Sequence, residues 1–241
     1  FMMLPMVIGM MSASVLSVNL GRPAADRGKP QNTTGIDKQP VASAQVAAPP
    51  AREVTRRLGP EARSGLIGDY IGDGKHHGGT VQAVYACARE DLDALGAQVG
   101  REFASGAFGE NLTTLGLDVT GALIGERWRI GSGDDAVELV VTCPRIPCNT
   151  FRAFIAERGW LKTFTRAAMP GAYLAVVRPG VVRAGDPIEV VFRPDHEVSI
   201  GVLFRSQTLE RELAPVVLTA ADYLDAESLD YARRGETFTI G

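Results

Sequence analysis

A chain of 241 residues that is 45% hydrophobic and 22% charged is long enough to bury a full core, and its composition is that of an ordinary globular protein. A formal net charge of −3 gives no reason to expect nucleic acid or an anionic membrane as partner, so any anion site must be local. Three cysteines (Cys87, Cys143, Cys148) are too few for a disulfide framework and fit a reducing, cytoplasmic compartment; with only His76, His77 and His196 besides, no zinc spacing can be assembled.

The first eleven residues, FMMLPMVIGMM, hold five of the six methionines and no charge, so residues 1–10 read as a leader or expression remnant with Met11 as the natural start. A secretory signal is the rival reading, but no basic segment precedes the apolar run. No other stretch approaches the roughly 18 apolar residues of a membrane span. Ser14 to Leu20 predicts a strand, followed by a polar loop from Gly21 to Gly35. Val41 to Ala47 and Arg52 to Leu58 both read as short β-like runs, split by Pro49-Pro50.

Gly72-Asp73-Gly74-Lys75-His76-His77-Gly78-Gly79 is the first stretch with chemistry in it. Its glycines let backbone approach a ligand, and the Lys-His-His centre offers donors to an oxyanion; a solvated surface turn is the competing reading. The order is wrong for a P-loop, and adjacent His76 and His77 face opposite ways in an extended chain, so they do not share a metal. Val81 to Ala86 predicts a strand and Arg89 to Val99 a helix with Leu92, Leu95 and Val99 on one face. Gly106 to Leu112 is a glycine-flanked turn carrying Glu110 and Asn111, the latter also readable as a turn cap.

A β-forming run, Ala136 to Val141, then enters Thr142-Cys143-Pro144-Arg145-Ile146-Pro147-Cys148. Two prolines three residues apart stop the strand and stiffen the path, so Cys148 is expected at a strand end with the Arg145 guanidinium nearby. A cation favours thiolate over thiol, which suits a nucleophile, a sulfur carrier or a metal ligand; a small buried packing residue is the alternative. Cys87 and Cys143 read as packing residues, although a Cys143–Cys148 disulfide is conceivable across the prolines. Phe151 to Phe164 has helical spacing interrupted at Gly159. Tyr173 to Val177, Val181-Val182 and Ile188 to Phe192 complete a set of short strands that predicts a closed or partly closed antiparallel barrel. From Ser199 three helices are expected, about 199–210, 213–221 and 226–233, with Ile200, Leu203, Phe204, Val216, Val217 and Leu229 packed together. Their acidic balance repels phosphates, so a DNA-binding helix-turn-helix is excluded.

In chain order, Thr34-Gly35-Ile36, Lys38, Pro40-Val41, His77-Gly78-Gly79, Ala83-Val84-Tyr85, Phe108-Gly109-Glu110-Asn111-Leu112, Pro144-Arg145-Ile146-Pro147-Cys148 and Pro170-Gly171-Ala172-Tyr173 resemble the MOSC domain, the C-terminal domain of molybdenum cofactor sulfurases, in its free-standing bacterial YiiM-like form. One departure stands out: relatives carry an acid shortly after the double glycine, where this chain has Thr80-Val81-Gln82. The resemblance implies a mainly β (α+β) fold, a MOSC-type antiparallel β-barrel with peripheral helices over residues 11–195 and a C-terminal three-helix appendage over 196–241. It also implies the molybdenum cofactor (molybdopterin), with Cys148 as catalytic residue and molybdenum ligand and Arg145, Asn111, Lys38 and His77 holding the pterin or its phosphate. The activity implied is reduction of N-hydroxylated small molecules using a separate electron-donor reductase, or else a non-catalytic carrier of persulfide sulfur or cofactor; a homodimer is the candidate assembly.

Overall fold

The computed structural model describes residues 12–238, so the leader assignment for residues 1–10 lies outside the described residues. The strands are β1 Ser14–Gly21, β2 Ala24–Ala25, β3 Thr33–Thr34, β4 Lys38–Val41, β5 Ser43–Val46, β6 Val84–Ala88, β7 Leu112–Leu115, β8 Arg127–Ile130, β9 Val137–Pro144, β10 Ala172–Arg178, β11 Gly180–Arg183 and β12 Ile188–Phe192. Eight of them form one sheet in the order β12-β8-β9-β10-β6-β7-β1-β4, while β11 pairs with β5 and β2 with β3.

The mainly β, α+β class is as expected, but the barrel is neither wholly antiparallel nor a closed ring. β6 and β7 run parallel, because the chain between them crosses over through helix α2, Arg89–Val99, instead of turning back in a hairpin. β1, next to the edge strand β4, is joined to the segment leading into β12 by an isolated bridge between Ser14 and Pro187 and by backbone bonds from Ile188 N–H to the Ala13 carbonyl at 2.8 Å, Val15 N–H to the Asp186 carbonyl at 2.9 Å and Gly185 N–H to the Val15 carbonyl at 2.7 Å. Alternation in β9 buries Val137, Leu139, Val141 and Cys143 on one face. β6 is buried at every position, as expected of a strand covered on both faces.

The remaining helices are α1 Arg52–Leu58, α3 Asn149–Ile155, α4 Trp160–Ala167, α5 Ile200–Thr208, α6 Ala214–Val217 and α7 Ala226–Arg234. Two expectations are corrected here. Residues 52–58 are helix, not strand: Glu53 in the first turn and Arg56 and Arg57 in the last complement the helix dipole, and Gly59 at φ 110° stops it. The span 151–164 is two helices, since Ala156 and Gly159 take left-handed backbone between them.

Two apolar clusters hold the layers together. The larger lies between the sheet and the C-terminal helices and includes Trp128, Leu139, Leu174, Leu203 and Val217. The smaller is aromatic: Phe108, Phe151, Trp160 and Phe164 meet edge to face or tilted at 5.2–6.0 Å between ring centres, and Phe204 of α5 joins from the tail. The tail therefore packs into both clusters. Val216, expected inside, is 44% exposed, because the short α6 turns only Ala214 and Val217 inward.

Candidate functional site

β9 ends at Pro144, and Arg145-Ile146-Pro147 carries the chain on to Cys148. Cys148 is not at the strand end, as the sequence reading had it; with φ −125° and ψ 170° it heads α3 in the N-cap position. The cause is Pro147, which the reading took only as a strand stop but which also fits the extended entry into a helix. At this position Cys148 is partly exposed, whereas Cys87 and Cys143 are buried, and all three are free, so no Cys143–Cys148 disulfide is formed.

Burial opposes ionisation of Cys148, but the His77 imidazole, the Arg145 guanidinium and the backbone N–H of Phe151 outweigh it and bring its pKa down to about 6. Burial pushes Cys143 and Cys87 the other way, well above the usual thiol range. One thiolate is therefore available at neutral pH.

Arg145 is 5% exposed. Its guanidinium lies 4.1 Å from the Phe151 ring centre and 5.3 Å from that of Tyr85, and Nη1 donates to the Phe108 carbonyl. Its Nε is buried with no partner among the described residues. Tyr85 in turn donates its hydroxyl to the Pro170 carbonyl at 2.7 Å and packs 5.0 Å from Tyr173, whose hydroxyl lies 3.4 Å from His77 Nδ1. Burial raises the Tyr173 pKa, so the phenol stays protonated.

His77 is placed by α1 and the segment after it. Arg56 donates to the carbonyls of Gly74 and Lys75, and Arg63 to those of Ile71 and Gly72, so two guanidinium groups hold the glycine-rich loop in shape. Gly79 closes it at φ 81°, where a Cβ would lie 2.7 Å from the Arg52 nitrogen. His76 also borders the cleft, but its Nδ1 is 2.8 Å from Asp73 Oδ2, so its imidazole is engaged with that carboxylate.

A third group of residues surrounds Asp69, which is fully buried. Its carboxylate pairs with Lys38 and accepts from the Gly21 N–H at 2.7 Å, Ser64 Oγ at 2.7 Å and Asn111 Nδ2 at 2.9 Å. Asn111 also donates to the Asn19 carbonyl and accepts from the Tyr85 N–H, so its amide is fully engaged.

Lys38, His77, Asn111, Arg145 and Cys148 all line one cleft of about 660 Å³. The five candidates are brought together from four separate stretches of chain, but they are not equivalent. The Lys38 charge is paired with Asp69 and the Asn111 amide is fully engaged, whereas the Arg145 Nε, His77 and Cys148 have bonding capacity left at the cleft. Among the described residues no three His, Cys, Asp or Glu side chains converge on a metal position, so Cys148 is a solitary ligand candidate.

The central residues of this cleft fall within one recognisable unit: residues 73–189 match the model of the MOSC domain family. The chain carries a MOSC domain. His77, Asn111, Arg145, Cys148 and Tyr173 lie inside the matched residues, whereas Lys38 and Asp69 precede them. The chain is 29% identical over 188 residues to YflK of Bacillus subtilis, an uncharacterized protein, covering 78% of this chain and 77% of that one. It is 30% identical to Escherichia coli YiiM over 54% of this chain and 57% of YiiM. The crystal structure of YiiM from Geobacillus stearothermophilus superimposes with a TM-score of 0.70 at 24% identity, over 92% of this chain and 98% of that one, so the two share a fold.

Asp69 and Tyr173 are the site residues that sequence reasoning left without a role. Tyr173 had a weak signal as the last residue of the Pro170-to-Tyr173 motif, but its approach to His77 needs the β10–β9 pairing. Asp69 had none, because its partners Lys38 and Asn111 lie 31 and 42 residues away in sequence.

Proposed function

We propose that this MOSC protein binds the molybdenum cofactor in the cleft and reduces N-hydroxylated small molecules, such as hydroxylamino bases, to amines with electrons from a separate donor protein. Cys148 carries the reading: it is the one thiol ionised near neutral pH, and it stands on the cleft wall beside a buried guanidinium.

The residues present fit the group. Molybdenum is soft enough to prefer thiolate, and a solitary protein ligand suits a metal whose other ligands come from a pterin. The unpartnered Arg145 Nε is a donor in need of an acceptor, and an anionic cofactor supplies acceptors. When bound, the cofactor supplies two-electron reduction of N–OH to N–H with loss of water. The chain's own part is to hold it and to manage charge and protons beside it. His77 and Arg145 keep Cys148 ionised, the Tyr173 hydroxyl lies 3.4 Å from His77 Nδ1 on the same wall, and Asp69 fixes Lys38 and Asn111 in place.

The test is metal and pterin analysis of the full-length protein from a cofactor-producing host, with turnover of a hydroxylamino base by an artificial donor. Bound molybdenum and pterin with turnover is the expected result. A folded sample with neither metal nor activity overturns it, and a persulfide on Cys148 without pterin identifies the sulfur carrier instead.

A further inference from the structure

Cys148, His77 and Tyr173 line a second cavity as well, of about 490 Å³. Its far wall is built by the C-terminal segment: Gln207 of α5, residues 225–228 at the start of α7, and Phe238. Apolar side chains, Val81, Ile146, Pro147 and Phe238 among them, make up much of the rest. The site thiol thus stands where two chambers meet.

The two chambers differ in charge. The first is lined by Lys29, Lys38, Lys75 and Arg145 against Asp26 and Asp73; with Lys38 paired to Asp69, three cations face two acids, and of those acids Asp73 is shared with the second chamber. The second is lined by Glu53, Asp73, Asp225 and Glu227 against a single guanidinium, Arg52, which lies 3.8 Å from Glu227. Within it Asp225 is half used. Oδ1 accepts from the Glu227 and Ser228 N–H groups at 3.0 and 3.1 Å and caps α7, while Oδ2 is buried with no partner among the described residues. A buried carboxylate oxygen without a donor is costly, and a ligand N–H or cation would satisfy it.

We propose that this second cavity is the chamber for the organic substrate, resting on the cofactor reading of the first, and that it selects compounds with an apolar body and a cationic or N–H-rich head that meets Asp225. An anionic cofactor and a cationic ligand then approach Cys148 from sides of opposite polarity, each disfavoured in the other's chamber. The helical tail becomes part of the recognition surface and not only of the core.

The probe is benzamidinium, titrated by calorimetry into the full-length protein as purified, with benzamide as its neutral counterpart. Saturable benzamidinium binding is expected, together with slower alkylation of Cys148, and at least tenfold weaker binding of benzamide. Asp225→Asn keeps the helix cap, since asparagine caps as well as aspartate, but removes the charge, so it should weaken benzamidinium at least tenfold at an unchanged melting temperature. Absence of saturable binding to the unsubstituted chain, or undiminished binding by Asp225→Asn, overturns the proposal. Molybdenum content of the same sample separates the two readings, because an empty first cleft with benzamidinium still held through Asp225 counts against the cofactor and not against the cation chamber.

Discussion

Asn111 Nδ2 donates to Asp69 Oδ2 at 2.9 Å, so the carboxylate that neutralises buried Lys38 also orients the amide standing beside Tyr85. Asp69→Ala would leave Lys38 buried and uncompensated, and breaking a buried pair from one side costs about 3–5 kcal/mol. Denaturant unfolding should show that loss, while the double variant Lys38→Met, Asp69→Asn, which removes both charges but keeps a side-chain oxygen for the Gly21, Ser64 and Asn111 donors, recovers part of it. Equal stability of Asp69→Ala and the parent chain would show the pair to be dispensable.

Cys148 should be the fastest-alkylating thiol, with a rate that rises with pH through a midpoint near 6, while buried Cys87 and Cys143 stay slow. Its folded pKa lies below the roughly 8.5 of an unfolded cysteine, so the stabilisation linked to ionisation is fully present above the unfolded value and is lost as pH falls through about 6, at roughly 1.4 kcal/mol per unit. Cys148→Ser should abolish that pH dependence and molybdenum retention while leaving the far-ultraviolet spectrum intact. Full activity with metal bound in that variant would refute the assignment.

Arg145→Met should move the alkylation midpoint of Cys148 upward by roughly one unit or more, since it removes a favourable neighbouring charge. Arg145→Lys should restore the shift only in part. A lysine keeps the charge but loses the planar fork that reaches the Phe108 carbonyl while lying over the Phe151 ring. An unmoved midpoint in Arg145→Met would assign the thiolate to His77 and the helix start alone.

Leu203→Ala in α5 should lower stability by about 2–5 kcal/mol, because the side chain is fully buried in the main cluster. Deleting residues 196–241 should be worse, exposing Leu139 and the aromatic cluster and yielding aggregated protein. A soluble truncated chain with an unchanged melting temperature would show the tail to be an independent appendage.

Most of the framework could be read from the chain, and the losses have physical causes. β9 was legible because Ala136 to Val141 is a β-forming run stopped by two prolines, and α5 and α7 because the composition changes after the strands; the caps at Ser199 and Asp225, whose side-chain oxygens accept from first-turn N–H groups, account for where those helices start. α1 was missed because seven residues with two valine- and threonine-type positions carry almost no period. The parallel β6–β7 pair was missed because the strand runs themselves say nothing about direction. At the site, the residue types at 77, 145 and 148 announced their chemistry, but that Lys38 and Asn111 are held by Asp69 depends on contacts formed between distant segments.

The Ser14–Pro187 bridge has a consequence for how the molecule is made. The first strand pairs with β4 and β7 but is tied to the sheet's other end only by residues more than 160 positions later, and the C-terminal helices seal the core after that. During synthesis most of the sheet must wait on the ribosome with its apolar face open. Refolding from denaturant should accordingly be slow, as pairings of high sequence separation require, and the growing chain should depend on chaperone shelter until α5 has emerged.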